Sequence, residues 1–326
     1  MNAAIPSFLK QTGPAAFTLT LSASAAETFM LCPAKYSWSR LTGIEGASPR
    51  AGINYGKGMH LLLAALYRHE PFDAATLLGE HFAANPQPEM GARGNAEWRT
   101  QARALQAFTA YRERYASEHW EALGVEEPFE VTLGGFDAAA DGATITVSVR
   151  GIRDLRVRWH DSLWVVDHKT STEWSDLTAD EGKASFQFMG YAWVERLLAR
   201  QGNADQASRL PVGGVIGNYL IARQPYSEGY KVNARSLPRD QFERVSYPFS
   251  DAQLDEWRDR AMTLAQGIWR SWSASEWPQH STACAHWGRC EYYQLCWETD
   301  PAYRASAALG ADFRPRTLSP LDELET

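Results

Sequence analysis

Apolar residues recur at helical spacing in several stretches of the chain, and each stretch predicts a helix. Gly56–Tyr67 is apolar on most faces, which indicates a buried helix. A longer pattern predicts a helix from about Ala96 to Leu123. Further helices are predicted from near Ala184 to Leu198 and over Leu254–Trp272, and Ser24 is the expected N-cap of a helix that runs towards Cys32.

Short runs rich in β-branched and aromatic residues alternate with turn residues and predict strands. They lie at 17–21, 129–133, 144–152, 155–159, 163–166 and 212–222, with a further hairpin at 230–247. The order of helix, strands, helix and strand indicates an α/β protein with a mixed central sheet flanked by helices.

Composition places the chain of 326 residues among globular proteins, because 44% of its residues are hydrophobic and 22% are charged. The net charge of −7 does not exclude a nucleic-acid partner, since a basic cleft can coexist with an acidic surface. Neither a secretory signal nor an apolar run of membrane-spanning length is present in the sequence. We therefore expect a cytoplasmic protein without a membrane partner.

Two aspartates and a lysine form the sharpest local pattern of the chain. We expect Asp154 between two strands and Asp167 at the end of the next strand. Residues two apart on a strand face the same side, so Asp167 and Lys169 would project into one site. Carboxylates and the backbone carbonyl of His168 suit Mg²⁺ or Mn²⁺ in phosphodiester hydrolysis, and an ammonium stabilises the transition state. The alternative is an ordinary hairpin with exposed charges.

Four short motifs follow one another along the chain. They are Gly56-Lys57-Gly58-Met59-His60, Gly151-Ile152-Arg153-Asp154, Asp167-His168-Lys169 and Gln187-Phe188-Met189-Gly190-Tyr191. Together they resemble the PD-(D/E)XK nuclease superfamily, and within it the RecB-like and Cas4-like branch with its phage-type members. The resemblance covers about Leu21 to Trp297 and implies a restriction-endonuclease-like core that cleaves DNA with a divalent metal.

The resemblance also implies which residues hold the metal. His60, Asp154 and Asp167 would bind Mg²⁺ or Mn²⁺, with the carbonyl of His168 as a further ligand. Lys169 would be the catalytic lysine. Without the resemblance to the family, a core histidine on an apolar helix is the better interpretation of His60.

Gln187 and Tyr191 lie four residues apart on a predicted helix and therefore share a face. The resemblance implies that they steady Lys169 or contact the DNA backbone, and the alternative is ordinary helix packing. His168 departs from the family, which usually has an apolar or aromatic residue between the acid and the lysine. The second acid is Asp167 rather than a glutamate, which is common in the RecB-like branch.

The four cysteines are one early residue, Cys32, and three late ones, Cys284, Cys290 and Cys296. In a reducing cytoplasm, metal ligation is a better use for them than disulfides. One distant and three clustered thiolates favour a [4Fe–4S] cluster, while zinc, which usually takes two close pairs, and free buried thiols are the alternatives. The Cys-Pro context of Cys32 fits the nuclease branch. The late spacing of five and five differs from that branch's usual two and five, and is similar to a phage-type variant.

These predictions divide the chain into three parts. Residues 1–20 form an N-terminal arm, residues 21–300 form the nuclease domain, and residues 301–326 form an acidic tail. The nuclease core carries helical additions and a C-terminal iron–sulfur segment. The cluster would join the two ends of the nuclease domain.

The resemblance implies a DNA exonuclease that acts on single-stranded or resected DNA ends. Phage or bacterial recombination or repair is the expected setting, with a recombination or repair protein as a candidate partner. Two other functions stay open, a Cas4-like end-processing subunit of a larger complex and a non-catalytic iron–sulfur DNA-binding module. The presence of Asp154, Asp167 and Lys169 argues against the last of these.

Overall fold

The computed structural model describes residues 6–47, 51–89, 97–138, 140, 142–172, 174, 176–202, 207–222, 241–285, 289–298, 300–308 and 310–316. Its strands are β1 (Leu9–Gly13), β2 (Ala16–Leu21), β3 (Ile44–Gly46), β4 (Glu121–Ala138), β5 (Ala143–Trp159), β6 (Ser162–Ser171), β7 (Val212–Ile221), β8 (Gln241–Tyr247) and β9 (Phe313–Pro315). Its helices are α1 (Ala23–Leu31), α2 (Pro33–Tyr36), α3 (Ala51–Tyr67), α4 (Ala74–Ala84), α5 (Gln101–Arg114), α6 (Asp176–Ala184), α7 (Phe186–Gln201), α8 (Asp251–Ala274), α9 (Tyr293–Trp297) and α10 (Pro301–Ala308).

The predicted α/β class with a mixed sheet and flanking helices is confirmed, but several boundaries differ. The helix expected over 96–123 is wrong at its end, because α5 stops at Arg114 and Glu121 already belongs to β4. Pairing with β5 extends β4 and overrides the local helical pattern. The N-cap of α1 is Ser22 rather than Ser24, since its hydroxyl accepts from the Ala25 N–H at 3.3 Å. The first part of the predicted 230–247 hairpin lies outside the described residues, and the rest contains β8.

The chain divides into two compact units, and the boundary between them falls twice inside a strand. The first unit contains Met1–Ser48, Pro128–Ile152 and Asp251–Thr326. In it, β2 pairs with β1 antiparallel and with the first half of β5 parallel. The segment predicted as an arm therefore contains β1 and most of β2, and the segment predicted as a tail contains α10 and β9.

The second unit contains Pro49–Glu127 and Arg153–Ser250, and it carries a mixed sheet. The second half of β5 pairs antiparallel with β6, β6 pairs parallel with β7, and β7 pairs antiparallel with β8. A two-residue turn, His160-Asp161, joins β5 to β6 with φ of 50° and 56°, the signs that a type I′ hairpin requires. The parallel pair is connected through α6 and α7, as a parallel crossover needs.

Apolar side chains of α3, α4 and α5 pack against the sheet of the second unit. Met59, Leu63, Phe108 and Val166 are among the fully buried members of this core. α3 lies close to β6 at Gly56, where a Cβ atom would lie 2.9 Å from the Thr170 hydroxyl oxygen. A glycine at this position therefore lets the helix lie close to the strand. Within the described residues, no helix combines the length and the apolar character that crossing a bilayer demands.

A buried ion network fixes α7 to β5. Glu195 on α7 is fully buried, and its carboxylate accepts from Arg153 at 2.5 Å and from Arg156 at 3.3 Å. Arg156 also donates to Glu127 at 3.1 Å. Because buried charges are stable only when paired, this network holds the helix in one position on the strand.

Replacing Glu195 with alanine would leave two buried guanidinium groups short of an acceptor. We expect E195A to lower the free energy of unfolding by about 3–5 kcal/mol. The exposed acid Glu80 on α4 gives the control, since E80A should change stability by no more than about 0.5 kcal/mol. Urea unfolding followed by circular dichroism measures both. Equal unfolding midpoints for the two variants would contradict an anchoring role of Glu195.

Candidate active site

The predicted acids and lysine lie together in the second unit, on neighbouring strands. Asp154 lies within β5, and Asp167 and Lys169 lie within β6. The expectation that Asp154 lies between strands and that Asp167 ends one is wrong, because β5 and β6 both continue past these residues. Pairing extends the two strands, so both carboxylates are buried, Asp154 at 8% exposure and Asp167 at 1%.

Lys169 bridges the sheet and α7. Its ammonium lies 2.7 Å from a carboxylate oxygen of Asp167 and donates to the amide oxygen of Gln187, also at 2.7 Å. The amide nitrogen of Gln187 in turn donates to the hydroxyl of Tyr191 at 2.8 Å. Gln187 and Tyr191 are one helical turn apart, so a single face of α7 holds the lysine in place.

Asp154 carries the strongest electrostatic perturbation among the acids. Burial, and to a smaller extent the nearby charge of Asp167, raise the pKa of its carboxyl to about 7. One oxygen accepts the backbone N–H of His168 at 2.8 Å, which favours the ionised form and partly opposes the burial. Two buried carboxylates that repel each other are a typical environment for a bound cation.

His60 extends from α3 towards both strands. One ring nitrogen, Nε2, lies 2.8 Å from the carbonyl oxygen of His168. The other, Nδ1, lies 3.5 Å from the Asp154 carboxylate. His60 is one helical turn after Gly56, where α3 lies close to β6, so the same packing brings its ring to the strand.

The side chain of His168 points to the opposite face of β6 from Asp167 and Lys169. It is 3% exposed, and burial lowers the pKa of the imidazole well below its usual range. Its Nδ1 therefore accepts from the side-chain amide of Asn218 at 2.8 Å, and its ring stacks on Tyr67 at a centroid distance of 6.0 Å. His168 therefore contributes its backbone N–H and carbonyl to the acidic site.

Arg244 on β8 completes the support behind His168. Its guanidinium donates to the Asn218 side-chain oxygen at 3.2 Å and to the Tyr111 hydroxyl at 2.8 Å. Tyr115 and Trp120 lie with their ring centroids 3.5 Å and 3.8 Å from the guanidinium carbon. A buried polar network thus fixes the backbone between the two predicted catalytic residues of β6.

Sequence reasoning missed three residues of this region: Glu126, Asn218 and Arg244. Glu126 on β4 belongs, with His60 and Asp154, to a group whose ligand atoms all lie within 4.8 Å of one another. None of the three missed residues belongs to a recognisable motif. Glu126 lies just beyond the stretch that helical periodicity predicted as a helix. A single acidic residue at such a position does not indicate a metal ligand.

The donor set of the acidic site fits a divalent cation. Carboxylate and carbonyl oxygens are the ligands that Mg²⁺ and Mn²⁺ prefer, and an imidazole adds affinity for Mn²⁺. Lys169 offsets the charge of Asp167, and a cation would further reduce the repulsion between the buried carboxylates of Asp154 and Asp167.

The four cysteines all belong to the first unit, and they line one small cavity. Cys32 lies at the junction of α1 and α2, where Pro33 begins the second helix. Cys284 ends a 3₁₀ turn, and its carbonyl accepts the N–H of Cys290 at 2.8 Å. Cys296 lies in α9, and its carbonyl accepts from Gln279 at 2.9 Å. These hydrogen bonds hold the backbone of Cys284, Cys290 and Cys296.

Burial raises the pKa of the thiols of Cys290 and Cys296 above its usual range. The pKa of Cys296 is raised further by the neighbouring sulfurs of Cys290, Cys32 and Cys284. The four groups are thus close enough to interact electrostatically. Such a site favours thiols in the absence of a metal, and thiolates only where a metal compensates their charge.

Comparison with known proteins agrees with the motifs. A sequence model described as the PD-(D/E)XK nuclease superfamily matches residues 20–297. A solved structure described as the crystal structure of SSO0001 is 10% identical, and the alignment covers 75% of this chain and 76% of that one. Its TM-score of 0.29 is too low to carry an argument about function. No curated protein matches the chain.

The pKa of Asp154 gives a prediction for the protein without metal. An aspartate with an ordinary pKa of about 3.9 when unfolded and a raised value when folded stabilises the fold only at low pH. That stability is lost as pH rises through about 7. In EDTA, D154N should therefore have a higher Tm than the wild type, by a difference that widens from about pH 4 to pH 7 and then levels off.

Thermal unfolding at several pH values measures this difference. D255N removes an exposed carboxylate of α8 and supplies the control. A D154N difference that stays constant with pH would show that Asp154 does not take up a proton in the folded protein.

Proposed function

Because the chain belongs to the PD-(D/E)XK nuclease superfamily, we propose that it is a metal-dependent deoxyribonuclease that hydrolyses phosphodiester bonds at DNA ends. The observation that carries this proposal is the placement of Lys169. Its ammonium lies between the carboxylate of Asp167 and the amide of Gln187, and its side chain is 40% exposed. A phosphate can therefore reach a lysine whose position is already fixed.

The metal would be held by His60, Asp154, Asp167 and the carbonyl of His168. When bound, Mg²⁺ or Mn²⁺ would lower the pKa of water and neutralise charge on the phosphate. The fit rests on the donor set and on the repulsion between the two buried carboxylates.

Lys169 acts as a positioned donor in this proposal. Its contacts with Asp167 and Gln187 leave the ammonium little freedom, so no reorganisation is needed as negative charge develops on the phosphate. Tyr191 supports Gln187 from the same face of α7, and burial raises the pKa of its hydroxyl well above the usual range. Tyr191 therefore stays neutral and serves as a hydrogen-bond partner rather than as a base.

The substrate in this proposal is a DNA end, single-stranded or resected, in recombination or repair. The nuclease family implies a nucleic-acid substrate, and the preference for ends is the finer part of the proposal. A Cas4-like subunit would need a partner for full activity, whereas a binding module would bind DNA without cutting it. The same assay separates all three.

We expect the wild type, with Mg²⁺, to shorten end-labelled linear DNA and to leave a closed single-stranded circle intact. K169A should cleave at least about 10²-fold more slowly, because it lacks the positioned donor. K183A, which changes an exposed lysine on α6, is the matched control and should retain full activity. Protein purified without oxygen and gel analysis of the products give the measurement.

Each outcome of this assay supports a different candidate function. Cleavage of the circle would replace end-dependent action with endonuclease action. Equal activity of the wild type and K169A, with both proteins folded, would reject the nuclease assignment for the isolated chain. DNA binding without cleavage would then favour the binding module, and activity that appears only with a partner would favour the complex subunit.

We also propose that Cys32, Cys284, Cys290 and Cys296 bind a [4Fe–4S] cluster. Their shared cavity and mutual electrostatic effect support a common ligand. One early and three late cysteines favour a [4Fe–4S] cluster over zinc, which usually takes two close pairs.

Replacing Cys290 with serine tests this second proposal. The anaerobically purified wild type should contain about four iron and four sulfide per chain, and C290S should contain substantially less of both. S281A, which changes an exposed residue in the same segment, should retain the wild-type content. Elemental and acid-labile sulfide analysis gives the counts. One zinc per chain would establish the zinc alternative, and no metal at all would leave the cysteines as free thiols.

A further inference from the structure

We propose that a cavity between the end of α5 and strand β8 binds a single nucleotide, at a site separate from the acidic residues. This inference deepens the proposed nuclease function and rests on it for the choice of a nucleotide among aromatic anions. We call it the α5–β8 cavity, and the residues of its lining that carry the argument are Arg114, Tyr115, Trp120, Trp159, Arg244 and Ser246.

The size of the α5–β8 cavity is that of a site for one small molecule. Its volume is about 440 Å³, and all of its lining residues belong to the second unit. Pockets that bind small ligands in proteins typically have volumes of about 300–1,000 Å³. The cavity therefore suits one nucleotide rather than a length of duplex.

The cavity lies on the face of the sheet away from the predicted catalytic lysine. Ile216 lines the cavity and lies two residues before Asn218 on β7, so the two side chains share a face. Asn218 donates to the ring of His168, which points away from Lys169. The sheet therefore separates a ligand of the cavity from the acidic site.

Three half-buried aromatic side chains give the cavity flat apolar surface. Tyr115 and Trp120 pack on the guanidinium of Arg244, with ring centroids 3.5 Å and 3.8 Å from its central carbon. Trp159 stands at the end of β5, and its ring meets the edge of Trp164 at a centroid distance of 5.5 Å. Every nucleobase has a face that stacks favourably on such rings. The lining therefore suits a base of any identity.

Arg244 holds this lining in place before a ligand arrives. Its Nε donates to Asn218 at 3.2 Å, one terminal nitrogen donates to Tyr111 at 2.8 Å, and the other pairs with Glu118. The donors of Arg244 are thus engaged within the protein. Rings that are already fixed lose little freedom when a base stacks on them, and this lowers the entropic cost of binding.

Arg114 gives the cavity a positive charge that the protein does not balance locally. It lies in the last turn of α5, is exposed, and has no carboxylate partner among the residues that the structure describes. Glu118 is paired with Arg244, so the lining contains two arginines against one glutamate. The chain as a whole has a net charge of −7, so this positive charge is local. Arginine binds phosphate through charge-assisted hydrogen bonds.

Flat aromatic surface beside an unbalanced arginine matches a nucleotide, which joins a base to a phosphate. A nucleoside would offer no anion to Arg114, and inorganic phosphate would leave the rings uncovered. Cleavage at DNA ends would release nucleotides, and a DNA strand presents the same base and phosphate. The two sources share one chemistry, and the choice of probe distinguishes them.

Calorimetry of the full chain with deoxyadenosine 5′-monophosphate tests the proposal. EDTA is present, so that no divalent cation can hold the phosphate at the acidic site. We expect the wild type to bind this nucleotide at least about tenfold more tightly than deoxyadenosine or inorganic phosphate. A tetramer of deoxyadenylate is the second probe. Tighter binding of the tetramer would identify the ligand as part of a DNA strand, and weaker binding would identify it as a free nucleotide.

R114E reverses the unbalanced charge and should weaken nucleotide binding at least about tenfold. R112E is the matched control, because Arg112 lies in the same last turn of α5 and is not among the residues that line the cavity. It changes the net charge equally and should bind the nucleotide as the wild type does. S246W fills the cavity from an exposed position on β8 and should weaken binding by a similar factor. Thermal unfolding confirms that each variant is folded.

Several results would overturn the inference. They are a wild type that does not bind the nucleotide, deoxyadenosine binding as tight as that of the nucleotide, and wild-type affinity in folded R114E or S246W. An equal loss of binding in R112E would also overturn it, because the effect would then come from the overall charge rather than from the cavity.

K169A separates this inference from the proposed function. Lys169 faces the other side of the sheet, so K169A should bind the nucleotide as the wild type does. Lost binding in K169A would place the nucleotide at the acidic site and overturn the inference. A protein that binds the nucleotide through Arg114 but cleaves no DNA would reject the nuclease proposal and keep the cavity site. Lys169-dependent cleavage without nucleotide binding in EDTA would reject the cavity site and keep the nuclease.

Discussion

Repulsion between carboxylates buried on neighbouring strands is the constraint on which the rest of the second unit depends. Asp154 and Asp167 are nearly inaccessible, and burial in a medium of low dielectric makes their mutual repulsion stronger than it would be in water. The fold can hold them there only if other contacts fix the strands and partly offset the charge. The backbone N–H of His168 does this for Asp154, and the ammonium of Lys169 does it for Asp167.

Support for these two strands comes from three directions. α3 packs closely at Gly56, α7 is held by the ion network of Glu195, and Asn218 fixes the ring of His168. Each support is itself polar or sterically specific, so each restricts the position of a backbone segment rather than merely covering it. This accounts for a histidine between Asp167 and Lys169. The ring of His168 replaces apolar packing with a hydrogen bond to Asn218 on the next strand, β7.

Much of this arrangement follows from the sequence, and the limits have physical causes. Apolar periodicity predicted α3, α7 and the strands around the acids, since burial of one face determines those patterns. It failed between Arg114 and Glu121, where pairing with another strand decides the conformation. Spacing of two residues placed Asp167 beside Lys169 correctly. No local rule could bring Glu126 to His60, because their proximity depends on how three distant elements pack.

The cysteines raise a separate question, since their unit differs from that of the acids. Asp154, Asp167 and Lys169 belong to the second unit, whereas Cys32 and the three late cysteines belong to the first. Hydrolysis of a phosphodiester transfers no electrons, so a cluster would have no chemical step to perform there. A bound cluster would instead close a loop from Cys32 to Cys296, and such a constraint disfavours the unfolded chain. We therefore expect the cluster to stabilise the first unit. A separate divalent ion at the carboxylates would take part in the hydrolysis.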